Sequence, residues 1–212
     1  MTTRPTPPLP PRIGPIEVPG DAVSAATWDW VHRSLPGYLV AHSIRSYCWG
    51  VAIANGEGWA FDRRVLWVAS LLHDLGLARL TRNTMCFEVE GAEIARRFLE
   101  RRGLSPGDAD RTAIAIILHM RAGVTLADGV ESVLLDRATA IDVRGDGIEA
   151  IASVRDVVAD AFPRGPFDRR FLRAIQREVA IRSGCQSERL LVRGDLVAWL
   201  ARSPWATGTG TD

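Results

Sequence analysis

The sequence predicts an all-α protein with one main domain. Between residues 21 and 202, apolar residues recur at helical spacing in nearly every segment, and no segment sustains the alternation of a strand. Residues that begin or end helices, such as Asp62 and Gly103, separate these segments. The chain has 212 residues, of which 47% are hydrophobic, so it is long enough to build one sizeable core.

Local signals set the limits of the first helices. Asp21 and Asp62 are good N-caps for the first and third helices, and Pro36-Gly37 separates the first from the second. Gly76 is placed to end the third helix, whose apolar residues are almost continuous and predict a buried, central position. The predicted helices are, in chain order, about residues 22–34, 37–56, 63–75, 90–102, 106–119, 130–142, 147–162, 168–183 and 195–202.

The later helices have similar limits. A polar loop, residues 77–88, follows the third helix, and the amphipathic helix after it ends at Gly103. Ser105 is a good N-cap for the next helix, with Pro106 at the first helical position. The remaining breaks are expected at glycine and proline: Gly145, Pro163, Gly165 and Pro166.

The two ends of the chain are expected to lie outside the domain. Seven of the twelve prolines fall in residues 5–19, and proline removes backbone donors and clashes with a preceding helical turn. Residues 1–20 are therefore interpreted as a Pro-rich arm on the domain or as a disordered tail. Residues 203–212 contain Thr-Gly-Thr-Gly-Thr and are interpreted as a flexible tail.

Composition argues against several classes of function. The net charge is +1, so no global field attracts nucleic acid, and no apolar run approaches the roughly 20 residues that span a bilayer. The N-terminus lacks the apolar core of a secretory signal. The cysteines are few and widely spaced, which predicts neither a disulfide framework nor a thiolate zinc site. We expect a cytoplasmic, reduced protein without nucleic-acid or membrane partners, and leave open whether it forms a homo-oligomer.

The run Leu71-Leu72-His73-Asp74-Leu75-Gly76 is the most informative stretch of the chain. A long apolar helix ends there in a histidine and an aspartate side by side. An imidazole and a carboxylate are costly at the end of a buried helix unless something compensates them. A divalent metal would do so, because neutral imidazole and carboxylate are good ligands for Zn²⁺ or Fe²⁺.

Other polar residues lie on apolar helices as well. His42 is flanked by apolar residues, His119 ends an apolar run, and Asp142 follows another. A lone histidine on an apolar face is more often a core residue with a backbone partner than a ligand. In combination, however, His42, His73, Asp74 and Asp142 are two imidazoles and two carboxylates, which suit Zn²⁺, Fe²⁺ or Mn²⁺.

With these residues in this order, the sequence resembles the HD superfamily of metal-dependent hydrolases, in which LLHDLG is a typical string. The resemblance covers about residues 35–145 and is strongest to the cyanamide hydratase-like branch. It implies a single helical HD domain over residues 21–202, preceded by the Pro-rich arm. The strings that support the branch are HSIRSYCWGVAIA, FEVEGAEIARRFLERRG, AIAIILHMRAG and DRATAIDVRG.

The resemblance also implies roles for single residues. His42, His73, Asp74 and Asp142 match the metal-ligand positions and would bind one divalent ion, with Zn²⁺ favoured and Fe²⁺ or Mn²⁺ as alternatives. Asp74 would also orient a water molecule. His119 would act as a general acid, hold a water or, as in two-metal relatives, help to bind a second ion.

Three further residues are candidates for substrate contact. Arg45 lies one turn after His42 and would reach the mouth of the site, unless it is a solvated or salt-bridged arginine. Glu88 begins a helix near the site, and its alternative role is to complement the helix dipole. Trp49 would line the pocket, although core packing is the favoured interpretation.

Two enzymatic functions compete, both on a small-molecule substrate. The first is a hydratase or hydro-lyase that uses activated water on a nitrile or cyanamide-like group. The second is a phosphohydrolase that cleaves a nucleotide or another phosphoester. Many phosphate-cleaving HD proteins carry a lysine where Leu77 stands, and this chain has no lysine, which favours hydration although arginine also binds phosphate. A non-catalytic, metal-binding regulatory protein is the third hypothesis.

Overall fold

A computed structural model describes residues 6–78 and 85–205, and this part of the chain is predominantly helical. The prediction of an all-α protein is confirmed. The strands β1 (Arg12–Ile13) and β2 (Ile16–Glu17) form a small antiparallel hairpin in the N-terminal arm. The helices are α1 (Ala22–Ser34), α2 (Gly37–Glu57), α3 (Arg63–Leu72), α4 (Leu75–Ala78), α5 (Phe87–Arg101), α6 (Pro106–Leu118), α7 (Val130–Arg144), α8 (Arg155–Ala161), α9 (Phe167–Ile181), α10 (Gln186–Val192) and α11 (Asp195–Arg202).

Helices α2 and α3 form the centre of the fold. Every residue of α3 from Val65 to Leu72 is buried, and so is nearly all of α2 between Leu39 and Ala54. A helix that is apolar on all sides must be enclosed by others, and α1, α6 and α7 enclose this pair. Asp62 caps α3 as predicted, because its carboxylate accepts from the backbone of Arg64 and Val65. None of the described helices is long and apolar enough to cross a bilayer.

Gly76 does not end α3, and that prediction was wrong. The helix ends at Leu72, a turn follows, and Gly76 lies inside the short helix α4. Glycine is needed there for close packing, because a Cβ atom on Gly76 would lie 2.0 Å from the carbonyl oxygen of Phe87. This backbone-to-backbone approach places the turn that carries His73 and Asp74 against the start of α5.

The chain ends and the C-terminal helices differ from prediction in detail. Residues 6–20 lie on the domain as an extended arm, held by the indole of Trp28, which donates to the carbonyl of Pro7. The predicted helix 147–162 is a short 3-10 turn followed by α8, and α10 was not predicted. Trp205, expected in a flexible tail, docks by donating its indole N–H to the carbonyl of Ile141 over 2.8 Å. Residues 1–5 and 206–212 lie outside the described residues.

A disulfide links the start of α5 to the start of α10, so the expectation of reduced cysteines was wrong for this pair. Cys86 and Cys185 are bonded across 99 residues, while Cys48 is free and buried. Only tertiary structure brings the two together, which is why their spacing gave no signal. Beside the bond, Arg182 forms buried ion pairs with Glu90 of α5 and with Glu178 of α9.

Substitution of Gly76 tests the close approach of α4 and α5. We expect Gly76→Ala to lower the free energy of unfolding by about 3 kcal/mol. The added Cβ would clash with the backbone of Phe87, which cannot move aside as a flexible side chain can. Gly56→Ala in α2 is the matched control: nothing lies within 4 Å of its added Cβ, so it should stabilise the helix by about 0.5–1 kcal/mol. Urea denaturation measures both, and equal effects of the two substitutions would contradict the packing described here.

The disulfide should contribute to stability through the long loop that it closes. The double variant Cys86→Ser, Cys185→Ser is expected to lose about 2–5 kcal/mol of unfolding free energy. Dithiothreitol should lower the melting temperature of the parent protein and leave that of the double variant unchanged. A parent that melts identically with and without dithiothreitol would contradict this expectation.

Candidate metal centre

Three side chains converge where α2 passes the turn between α3 and α4. His42 comes from the first half of α2, while His73 and Asp74 occupy the turn itself, and all three are buried. The Nε2 atoms of the two histidines are 3.1 Å apart. Asp74 Oδ2 lies 3.4 Å from His73 Nε2 and 3.8 Å from His42 Nε2. These residues could hold one metal ion, since their ligand atoms all lie within 4.8 Å of one another.

Hydrogen bonds on the outer side of each ring determine which imidazole nitrogen carries the proton. His73 Nδ1 is 2.7 Å from the carbonyl of Ser70, which can only accept, so Nδ1 is the protonated atom. His42 Nδ1 lies 2.7 Å from the carboxylate of Asp142, which also accepts a hydrogen bond, so Nδ1 of His42 carries a proton as well. In the neutral state of each ring, Nε2 therefore presents a lone pair to the other residues of the cluster.

The cluster thus brings two imidazole nitrogens and a carboxylate oxygen together in a buried place. Burial lowers the pKa of His73 to about 3, and the charge of His42 lowers it further, so His73 is neutral at pH 7. Burial raises the pKa of Asp74, against the influence of His42 and His119, and its Oδ2 is buried without a hydrogen-bond partner among the described residues. Buried lone pairs in contact are unfavourable unless a cation lies among them, and nitrogen with carboxylate oxygen suits a divalent transition metal.

Asp142 is not part of this cluster, although the resemblance implied that it is a metal ligand. One of its oxygens accepts from His42 Nδ1, and Arg45 binds both oxygens over 2.7 and 2.8 Å. The indole N–H of Trp49 also donates to it over 2.8 Å. Burial would raise its pKa, but the charge and hydrogen bonds of Arg45 and His42 hold the pKa well below the usual range. The structure therefore places Asp142 behind His42, where it orients the ring.

The three residues predicted to contact substrate are not among the described residues that line the cavity at this centre. Arg45 is buried and also donates to the carbonyl of Phe162, so it is neither a surface arginine nor at the mouth. Trp49 is a core residue. Glu88 is buried at the start of α5, where burial raises its pKa.

His119 lies beside the cluster and lines the cavity, as predicted. Its ring centre is 4.9 Å from that of His73. Burial and the charge of His73 lower its pKa to about 3, and Nδ1 is 2.5 Å from the carbonyl of Ile116, so Nδ1 carries the proton. At neutral pH the ring can accept a proton at Nε2 and has no acidic proton to deliver, which argues against the predicted role as a general acid.

A cavity of about 450 Å³ opens onto the centre. Two groups of lining residues were not predicted. Asp136, Thr139 and Val143 share one face of α7, and their helical spacing was a usable signal. The second group comes from the C-terminal helices and gave no local signal: Phe171, Ile175, Leu190, Leu196 and Trp199.

Asp136 is the one residue of these two groups whose pKa is strongly shifted. Burial raises its pKa to about 6, against the opposing charges of Arg144 and Arg137. No ion pair or hydrogen bond engages its carboxylate within the part of the chain that the structure describes. The carboxyl group of Asp136 thus belongs to a residue that lines the cavity outside the cluster of His42, His73 and Asp74.

Comparison with known proteins supports the assignment of the centre. The family model for the HD domain matches residues 39–150, which is more than half of the chain and includes every residue of the cluster. Cyanamide hydratase DDI2 and cyanamide hydratase DDI3 of Saccharomyces cerevisiae are each 26% identical to this chain over 152 residues. Each alignment covers 69% of this chain and 68% of the yeast protein.

Removal of the charge on Asp142 tests its placement behind His42. Asp142→Asn should weaken Zn²⁺ binding by about 10–100-fold, because outer partners of ligating histidines fix their tautomer and basicity. Asp146→Asn, at an exposed acid beyond the end of α7, is the control and should bind as the parent does. A competition titration against a chelator measures the affinity, with circular dichroism to verify folding. Unchanged affinity in a folded Asp142→Asn variant would contradict this role.

Proposed function

The chain belongs to the HD domain family, and on that premise we propose that it is a metal-dependent hydratase that adds water to a small nitrile-type molecule. The observation that carries the proposal is the buried cluster of His42, His73 and Asp74 beside a cavity of about 450 Å³. The similarity to two yeast cyanamide hydratases favours hydration as the reaction.

One divalent ion would be held by His42, His73 and Asp74, with Zn²⁺ favoured over Fe²⁺ and Mn²⁺. Two imidazoles and one carboxylate are a common ligand set of catalytic zinc, which keeps further positions open for water or substrate. Such an ion lowers the pKa of water from about 15.7 towards 7 and polarises an electrophile.

The protein side chains would orient the reactants and move the proton. Asp142 holds the ring of His42, and the carbonyl of Ser70 holds that of His73, so both Nε2 atoms keep their direction. Hydration of a nitrile replaces the two π bonds of C≡N by a carbon–oxygen double bond and two N–H bonds, so both hydrogens of water end on the nitrogen of the amide. His119 lies beside the cluster and lines the cavity, where its Nε2 would take a proton from water and return it to the substrate nitrogen.

Phosphoester hydrolysis is the second candidate, and one observation favours it. The guanidinium groups of Arg121, Arg144 and Arg193 line the same cavity and could bind a phosphate. Two of them already have acidic partners, Asp146 for Arg144 and Asp195 for Arg193. Leu77, at the position of the lysine in many phosphate-cleaving relatives, is buried. These two facts make the phosphohydrolase the weaker proposal.

Metal analysis followed by activity assays tests the proposal. We expect about one divalent ion per chain and formation of an amide from small nitriles. His73→Ala should lower both metal content and amide formation by at least about 100-fold, because a ligand rather than an outer partner is lost. His32→Ala is the matched control: this histidine is half-buried on α1, does not line the cavity at the centre, and should leave both quantities unchanged.

The other outcomes each select an alternative. Phosphate release from nucleotides without amide formation would overturn the hydratase in favour of the phosphohydrolase. A stoichiometric metal with neither activity would support the non-catalytic regulatory protein. A folded protein that binds no divalent metal would contradict all three.

A further inference from the structure

The outer part of the cavity is built by helices that lie beyond the region matched by the HD family model. That region ends at residue 150, whereas α9, α10 and α11 begin at Phe167, Gln186 and Asp195. The cluster and His119 thus come from the shared family core. The opposite wall comes from helices that follow the matched region.

The cavity is much larger than cyanamide, NH₂CN, requires. Its volume of about 450 Å³ falls within the range of about 300–1,000 Å³ that is typical of sites for drug-sized ligands. A water molecule occupies about 30 Å³ of liquid, and cyanamide is only a few times larger. A substrate of that size would leave most of the cavity filled by water.

The added wall has a firmly packed apolar part, which lies beside the polar lining residues Gln186, Arg193 and Asp195. Ile175 is fully buried, Leu196 is 2% exposed and Phe171 is 6% exposed. Phe171 stacks on Phe167, with ring centres 4.9 Å apart, so its position is fixed by a neighbour. Such a wall is preformed rather than assembled around a ligand, and it offers contact area to an apolar group.

The outer rim carries an aromatic side chain whose position is also restrained. The guanidinium of Arg144 lies 4.6 Å from the ring centre of Trp199, a cation–π contact that covers one face of the indole. Arg144 is in turn 2.9 Å from Asp146. The position of Trp199 is therefore restrained by Arg144 at the end of α7, and Trp199 also lines the cavity.

We propose that the substrate is a nitrile with an apolar body of the size of an aromatic ring, and that Phe171, Leu190 and Trp199 select it. The nitrile carbon lies at the cluster of His42, His73 and Asp74, and the body lies against the C-terminal wall. The reaction balances as R–C≡N plus water giving R–C(=O)–NH₂, with no other reactant. This inference rests on the proposed hydratase function and names its substrate class.

Benzonitrile and cyanamide are the probes for this inference. The metal-loaded protein should hydrate benzonitrile with a kcat/KM at least about tenfold above that for cyanamide, because a buried ring adds apolar contact that cyanamide lacks. Binding of the two products supplies a measurement that needs no turnover. Isothermal calorimetry should give benzamide a Kd at least about tenfold lower than that of urea.

Substitution of the rim locates the selectivity on the C-terminal helices. Trp199→Ala should lower the benzonitrile-to-cyanamide ratio of kcat/KM by about tenfold and weaken benzamide binding by a similar factor. Val197→Ala is the matched control on the same helix, since Val197 is 47% exposed and does not line the cavity. Leu190→Ala, a second lining position on α10, replaces Trp199→Ala as the test if that variant does not fold.

The outcomes separate this inference from the proposed function. Hydration of cyanamide as fast as or faster than benzonitrile, or a lining variant that changes both alike, would overturn the substrate class and leave the hydratase intact. Benzamide that binds tightly and depends on Trp199, in a protein that hydrates neither nitrile, would support the apolar wall and overturn the hydratase. Benzamide that binds no more tightly than urea would overturn the inference.

Discussion

The carboxylate of Asp142 is the interaction on which the centre depends. It lies on α7 and bonds His42, Arg45 and Trp49, all from α2, so it ties the two helices together in the core. A buried ion pair is stabilising only when its remaining hydrogen-bonding capacity is satisfied, and here the donors fill both oxygens. The same bond keeps the proton of His42 on Nδ1 and turns the Nε2 lone pair towards His73. The carboxylate of Asp142 therefore has two roles: it ties α2 to α7, and it orients His42 within the cluster of His42, His73 and Asp74.

The break after α3 is equally necessary. Neighbouring residues on a continuous helix point about 100° apart, which would separate the side chains of His73 and Asp74. The helix ends at Leu72 and the chain turns through both residues, and the tight contact of Gly76 with Phe87 holds the turn in place. The cluster then forms where this turn meets the first half of α2, because that is where His42 lies.

Much of the fold and of the candidate site could be predicted from the sequence, and the predictions that the structure corrects have a common cause. Helical periodicity predicted the all-α class, because it is a local property of the sequence, and the resemblance to the HD superfamily implied that His42, His73 and Asp74 converge. Side-chain partnership is not local. Asp142 satisfies the same sequence pattern whether it faces a metal or the outer nitrogen of His42, and only the position of Arg45 decides which. Cys86 and Cys185 likewise show their bond only once α5 and α10 lie side by side.

A shared centre and an added wall divide the chemistry between two parts of the chain. In the proposed reaction the cluster would act on an electrophile whatever is attached to it, because its atoms would reach only the reacting group. Contacts remote from that group provide binding energy that can be used to orient the substrate, and in the proposed binding mode they would come from α9 to α11. A hydrophobic pocket discriminates by about 1–3 kcal/mol per methylene, so changes in these helices alone can shift selectivity by orders of magnitude. Relatives with the same three ligands can therefore differ widely in substrate, and 26% identity to a cyanamide hydratase favours the reaction more strongly than the substrate.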